Sequence, residues 1–123
     1  LKELAYSGAL TDRRAAREVL VEAEEAFSAI GLSFEKAEDK FGRLAKYTYT
    51  SDSYPDAVKE KHKLKLYTAK YEGKSGYLWI CFTQEAYDSK GKLISGAWDN
   101  LARWEIKKDG NGAWHVSSIM EAV

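Results

Sequence analysis

The side chains that could do chemistry are few in this chain of 123 residues. His62 and His115 are its two histidines, and Cys81 is its one cysteine. Neither histidine stands at a recognised metal-ligand spacing, so a metal site would need ligands from distant strands. No serine lies in a nucleophile elbow, and no glycine-rich phosphate loop precedes a helix. We therefore expect no metal and no cofactor.

Three residues remain as candidates for reactivity. Cys81 lies in an apolar run, where a free cysteine behaves as a small hydrophobic side chain and lacks the neighbours that activate a thiol. Asp99 and His115 could act as a general base only if their side chains point into the fold. Their direction depends on the elements that carry them.

Composition limits the classes of partner. Lys plus Arg and Asp plus Glu each total 19, so the formal net charge is 0. Without a basic excess we expect no nucleic-acid partner. The chain is 45% hydrophobic and 31% charged, which predicts one folded domain over residues 1–123. One cysteine excludes an internal disulfide, and no apolar run reaches the ~20 residues of a membrane span.

The first residue bears on location. The chain begins with Leu1, not Met, so removal of a signal peptide or membrane anchor is one option that the sequence leaves open. An extracytoplasmic accessory module of a larger bacterial protein would fit such trimming. The low cysteine count fits the cytosol as well, so the sequence leaves the compartment open.

Helical patterns occupy the first half of the chain. Thr11 is a candidate N-cap of a first helix that ends at Gly31, and Ser33 is a candidate N-cap of a second. Pro55 favours a short third helix over 55–61. One face of the second helix is apolar: Phe34, Ala37, Phe41 and Leu44.

A two-residue periodicity begins near residue 64 and predicts strands. Short separators that contain glycine divide them, which indicates hairpins and therefore an antiparallel meander. The predicted class is α+β, with two helices packed on a curved four-stranded sheet. Three-residue turns would place Leu66 opposite Phe82, Phe82 opposite Trp98, and Trp104 opposite Val116. The strands are predicted at about 63–72, 76–88, 92–108 and 112–120.

These registers assign one apolar face to the helices. A slip of one residue would expose all of it, which favours the register, but a bulge in the third strand would reverse the alternation beyond it. The predicted inner residues are Leu64, Leu66, Leu78, Ile80, Phe82, Trp98, Ala102, Trp104, Ile106, Trp114, Val116 and Met120.

The opposite face is more aromatic than a face in contact with water usually is, which indicates an interface. Arg103 could form a cation–π contact with Tyr77 there. The alternative is that the rings satisfy β-propensity with their polar tips in water. The predicted interface residues are Trp79, Tyr77, Tyr71, Tyr67, Leu101, Arg103 and Ile119.

The last hairpin contains Arg103-Trp104, the turn Lys108-Asp109-Gly110, and Trp114-His115-Val116. With two helices, a broken segment and a long meander before it, the chain resembles the nuclear transport factor 2-like superfamily. This cone-shaped, cystatin-like fold includes ketosteroid isomerase, polyketide cyclases and many non-catalytic bacterial domains. The resemblance spans nearly the whole chain in element order. It implies a pocket between sheet and helices, and dimerisation through the outer sheet face.

Two functions follow from the resemblance. Catalytic members use carboxylates inside the cone, whereas we find no inward carboxylate or histidine here that could act as a general base. The leading hypothesis is therefore a non-catalytic, homodimeric interaction module. The alternative is a lyase- or isomerase-type enzyme in which a bulge turns Asp99 or His115 inward; a peptide-binding adaptor would use the same outer face. The residues expected around a small apolar ligand are Trp98, Asn100, Gln84, Phe82 and Ser118, unless Trp98 simply fills the core.

Overall fold

A computed structural model describes residues 10–121, with side chains from Arg14 onward. The four strands form one antiparallel sheet in the order β1-β2-β3-β4. The predicted α+β architecture of two helices and a four-stranded meander is confirmed. No helix in the described part is long and apolar enough to cross a membrane. The elements are α1 (Leu10–Ser28), α2 (Phe34–Phe41), a 3-10 helix η1 (Gly42–Tyr47), β1 (Lys59–Glu72), β2 (Ser75–Tyr87), β3 (Leu93–Lys108) and β4 (Trp114–Glu121).

The second helix follows the local signals, whereas both predicted ends of the first helix differ: α1 ends at Ser28 and not at Gly31. Ser33 caps α2 as predicted, because its Oγ accepts a hydrogen bond of 3.2 Å from the backbone N–H of Lys36. The α-helix ends at Gly42, whose φ of 59° lies in the left-handed region, and the chain continues as η1. Thr11 is not the N-cap of α1, because the helix already includes Leu10.

The helix predicted over 55–61 is wrong. This segment forms turns, and β1 begins at Lys59. The backbone N–H of Val58 donates to the carbonyl oxygen of Tyr87 at 2.9 Å, so pairing with β2 outweighs the local preference of Pro55. The β-propensity around Tyr49 produces a single parallel bridge to Ile30 rather than a strand.

The first hairpin does not have the predicted register. Its turn contains two residues, so Glu72 pairs with Ser75. Beyond a bulge at Tyr67, Leu66 pairs with Ile80 instead of Phe82.

The later hairpins shift for the same reason. Extra residues at Ile94 and at Trp98–Asp99 in β3 place Asn100, not Trp98, opposite Phe82. In the last hairpin, the longer turn pairs Lys108 with Trp114 instead of Gly112, and one extra residue at Ser117 completes the shift that places Trp104 opposite Ile119 rather than Val116. Each bulge reverses the alternation of side chains beyond it.

The bulges exchange four residues between the two sides of the sheet. All predicted inner residues are buried except Trp98 and Met120, which are exposed. Conversely, Tyr71 and Ile119, predicted for the outer side, pack against the core. The predicted apolar face is thus correct along most of each strand and wrong on one side of a bulge in β1, β3 and β4, at Tyr71, Trp98, Ile119 and Met120.

The core contains an aromatic cluster of Phe27, Tyr47, Phe82 and Trp104. The ring of Tyr47 stacks on Phe27 with centroids 4.5 Å apart, and Phe82 meets both rings edge-on. The hydroxyl of Tyr47 accepts a hydrogen bond of 3.1 Å from Trp104 Nε1 and donates one of 2.7 Å to Glu121 Oε2. Burial and the bond to Glu121 raise the pKa of Tyr47 above its usual value of 10.0.

We predict that Tyr47→Phe lowers the free energy of unfolding by about 1–3 kcal/mol, because it leaves the buried indole N–H of Trp104 without a partner. The matched control is Tyr87→Phe, which removes a hydroxyl that donates to Glu85 on the solvent side of the sheet. Urea denaturation should show a change below about 0.5 kcal/mol for the control. Equal losses in the two variants would contradict the assigned role of the Tyr47 hydroxyl.

Candidate functional site

The outer face is the side of the sheet turned away from α1, and cross-strand pairs arrange it in rows. Thr68, Trp79, Arg103 and Met120 lie in the central row, one from each strand. The row nearest the first turn runs Lys70, Tyr77, Glu105 and Ser118. On the other side of the centre, Lys65, Cys81 and Leu101 pair across three strands. Apolar residues therefore occupy the middle of this face.

Arg103 is fixed over this surface. Its Nε lies 3.0 Å from Glu105 Oε1, and its Cζ lies 4.1 Å from the ring centroid of Tyr77. The predicted cation–π geometry is therefore present, although the register differs: Arg103 pairs with Trp79 and reaches Tyr77 diagonally. A guanidinium group held by two contacts is ordered before any partner arrives.

Tyr67 occupies the bulge of β1 and remains exposed above Cys81, which is buried. A hydrogen bond with Cys81 raises the pKa of Tyr67 above its usual value of 10.0. Cys81 in turn pairs with Leu101 on the neighbouring strand. The thiol is thus part of the packed centre of the outer face.

Trp98 lies on the outer face and not in an interior pocket. Its indole covers Gly96, and its Nε1 donates a hydrogen bond of 2.6 Å to Glu85 Oε2. Hydrogen bonds from Tyr87 and Trp98 lower the pKa of Glu85, which favours its charged form. The bulge that turns Trp98 outward also exposes Asp99.

Asp99 has a φ of 50°, and its backbone N–H donates to Thr83 Oγ1 at 2.9 Å. A bulge does form here, as the enzyme hypothesis required, but it leaves the carboxylate exposed. His115 is exposed too: its Nε2 lies 2.9 Å from Asp109 Oδ2 at the β3–β4 turn. Backbone N–H groups of Ala113 and Asn111, with His115, lower the pKa of Asp109. Neither candidate base points into the fold.

The other expected pocket residues are divided between the two sides of the sheet. Phe82 belongs to the aromatic cluster, and Gln84 donates a hydrogen bond of 3.2 Å to the carbonyl oxygen of Tyr47. Asn100 pairs with Phe82 and is half-buried, whereas Ser118 is exposed on the outer face. The five residues predicted around a ligand therefore do not face one common space.

One histidine does point inward, together with two carboxylates beside it, which was not predicted from the sequence. His62 lies between α1 and β1, with its Nε2 2.7 Å from Glu24 Oε2 and its Nδ1 2.8 Å from Glu60 Oε2. We call these three residues the His62 cluster. The centroid of the His62 ring lies 5.7 Å from that of the Phe27 ring. Among the residues with described side chains, no group of three or more His, Cys, Asp or Glu is arranged to hold a metal ion.

The His62 cluster had one sequence signal. Glu60 and His62 are two residues apart, so in a strand they share a face. That signal was lost because the strand was predicted to begin at residue 63 and Pro55 was interpreted as the start of a helix. The partner on α1, Glu24, cannot be found from local pattern because it lies 38 residues away.

Comparisons with protein-family models, curated proteins and solved structures give no match for this chain. Its function therefore has to be inferred from the outer face and the His62 cluster.

Two glycines of the sheet provide a test of the geometry around Trp98. A Cβ at Gly96 would meet the far end of the Trp98 indole, which can swing away, whereas a Cβ at Gly76 would meet Tyr71 Cβ and the backbone oxygen of Lys70. We predict that Gly96→Ala costs at most about 1 kcal/mol, and Gly76→Ala about 3 kcal/mol or more. The measurement is urea denaturation of both variants.

The nuclear magnetic resonance signal of the Trp98 indole N–H should also shift in Gly96→Ala, because its bond to Glu85 is broken. Combining Gly96→Ala with Trp98→Ala should remove the cost of the alanine at residue 96. A full cost in that double variant would contradict the placement of the indole over Gly96.

Proposed function

We propose that this protein is a non-catalytic interaction module that forms a homodimer through the outer face of its sheet. The observation that carries the proposal is the concentration there of large apolar side chains that water reaches. Tyr67, Trp98 and Met120 are 48%, 52% and 51% exposed. Trp79 of β2 and Leu101 of β3, on the same face, are half-buried. A sheet face left in water normally carries polar side chains, and a contiguous apolar patch marks an association surface.

The bulges make the outer face richer in the residue types that are common at interfaces. They move Tyr71 and Ile119 to the inner side, so these two leave the predicted interface, and they bring Trp98 and Met120 to the outer face in exchange. Tryptophan, tyrosine, methionine and arginine are the residues enriched at interfaces. The proposed contact residues are therefore Tyr67, Tyr77, Trp79, Trp98, Leu101, Arg103 and Met120.

Charge favours a second copy as the partner. The outward positions of β1 carry lysines along most of the strand, at Lys59, Lys61, Lys63, Lys65 and Lys70, and one carboxylate, Glu72, beside the first turn. The acidic groups of the outer face, Glu85, Asp99 and Glu105, lie on β2 and β3. A two-fold axis through the apolar centre would bring the lysines of one copy towards the carboxylates of the other. A surface whose lysines lie mainly on one edge strand and whose carboxylates lie mainly on the inner strands is complementary to itself.

The size of the face suits a dimer. Four strands at about 4.8 Å spacing and about 3.3 Å per residue, over the 13 residues of β2, give roughly 800 Å². That is about the area that one partner contributes to a standard interface.

The interior supports a non-catalytic reading over the enzyme alternative. The enzyme needed Asp99 or His115 as an inward base, and both are exposed. His62 does point inward, but carboxylates of the same chain occupy both of its ring nitrogens. A general base must offer a free lone pair to the proton that it abstracts, and neither nitrogen offers one while both of these contacts are made.

We also propose that the sheet curves into the cone-shaped, cystatin-like arrangement of the nuclear transport factor 2-like superfamily. Each of the bulges bends its strand. In addition, α1 contacts both β1 and β4, the two edge strands of the sheet. One helix reaching both edges supports a sheet that wraps around it.

We predict that the wild-type protein is a dimer at tens of micromolar concentration and that Trp79→Glu makes it a monomer. The substitution removes the indole from the centre of the interface and places a carboxylate there, which should weaken association at least 100-fold. Light scattering after size-exclusion chromatography measures the mass, and the free energy of unfolding of the monomer confirms that it is folded.

The matched control is Val21→Glu, which places the same change on an exposed position of α1. This variant should remain dimeric. A wild-type monomer, or a dimer that survives Trp79→Glu, would contradict the proposed interface.

A further inference from the structure

We propose that the His62 cluster is a proton-operated clamp between α1 and β1: charged His62 holds Glu24 in place, and neutral His62 releases it. The cluster joins Glu24 of α1 to Glu60 and His62 of β1 through hydrogen bonds of 2.7 and 2.8 Å. The bonds are independent of the outer face, so the clamp does not rest on the proposed dimer.

The geometry requires two protons on the ring. An ionised carboxylate only accepts hydrogen bonds, and a neutral imidazole has a single N–H to donate. Only the imidazolium can therefore satisfy Glu24 and Glu60 at the same time. In the neutral ring, one nitrogen lone pair would face a carboxylate oxygen at under 3 Å, which is repulsive.

Exposure decides which carboxylate leaves. The side chain of Glu60 is 15% exposed and that of Glu24 is 39% exposed, beside a His62 side chain that is 13% exposed. Glu24 can turn into water, whereas Glu60 would stay buried without its partner, which costs more. The neutral ring should therefore keep its proton on Nδ1, bound to Glu60, and lose the bond from Nε2.

The groups around the ring leave these two carboxylates in control. Across β2, the partner of His62 is Gln84, which is uncharged. Tyr47 of η1 stacks on Phe27 beside the ring, and burial raises the pKa of its hydroxyl. Burial also raises the pKa of Tyr49, which senses the charge of Glu60, to about 12. Both tyrosines stay neutral wherever His62 titrates.

The sign of the pH dependence follows. Burial lowers the pKa of His62, but the hydrogen bonds and charges of Glu24 and Glu60 outweigh it and raise the pKa above the ordinary 6.5. A group with a raised folded-state pKa stabilises the fold fully below pH 6.5 and loses that contribution as pH rises through the folded-state value. The clamp is therefore closed below pH 6.5 and opens as the pH rises through the raised pKa of His62.

The test is a titration of wild-type protein, labelled with nitrogen-15, from pH 5 to 9. We expect the ring nitrogens of His62 to titrate above 6.5 and to end in the Nδ1–H form, which is the minor tautomer of a free histidine. His115, exposed beside Asp109 and Glu22, is the internal comparison. A His62 that is neutral at pH 6, or one that ends in the Nε2–H form, would overturn the proposal.

Hydrogen exchange tests the mechanical consequence. Corrected for intrinsic rates, amide exchange near the end of α1 should rise about tenfold as His62 loses its proton, since a hydrogen bond to a charged group is lost. Glu24→Gln should abolish the rise, because an amide can donate to the neutral ring as well as accept from the charged one.

The matched control for exchange is Glu22→Gln, which changes the carboxylate of α1 nearest His115 instead. It should keep the wild-type rise. A flat profile in wild type, or a rise that persists in Glu24→Gln, would show that the three residues are a static contact.

Discussion

A pleated strand gives each side chain only two directions, and the bulges of this sheet decide which direction each residue takes. The extra residues at Tyr67, Asp99 and Ser117 reverse the alternation, and the sequence reverses its apolar pattern at the same points. Ala69 can therefore continue the core after Leu66, although the spacing between them is odd. The packed interior and the apolar outer face both depend on these insertions.

The inner side of the sheet packs on an aromatic cluster, and a series of hydrogen bonds runs through that cluster. Trp104 donates to Tyr47, Tyr47 donates to Glu121, and Glu121 meets Lys46 with its other oxygen at 3.1 Å. These three contacts link the buried hydroxyl of Tyr47 to Lys46 near the surface, so each polar group in the series has a partner. It also joins η1 to the last strand, which fixes the 3-10 helix against the open edge of the sheet.

How much the sequence could predict depended on whether the signal was local. The two helices, the Ser33 cap and the four strands followed from periodicity and glycine-containing turns. The registers could not be predicted in this way. The two-residue turn at Gly73 and the bulge at Asp99 each depend on the backbone conformation of a single residue, which the apolar pattern does not specify. Aspartate tolerates a positive φ better than most residues, which is the one local hint of that bulge. The His62 cluster needed a contact between distant elements, which no local pattern contains.

Both edges of the sheet carry side chains that disfavour pairing with a further strand. At the start of β4, the backbone N–H of Trp114 donates to Glu18 Oε2 at 3.1 Å, so a helix side chain occupies a donor that another chain could otherwise use. Along the opposite edge, β1 presents lysines at alternate positions, which disfavour the approach of a further strand. Both edges therefore resist the strand-by-strand growth that leads to fibrils. A protein guarded in this way can expose an apolar sheet face to water without aggregating through its borders.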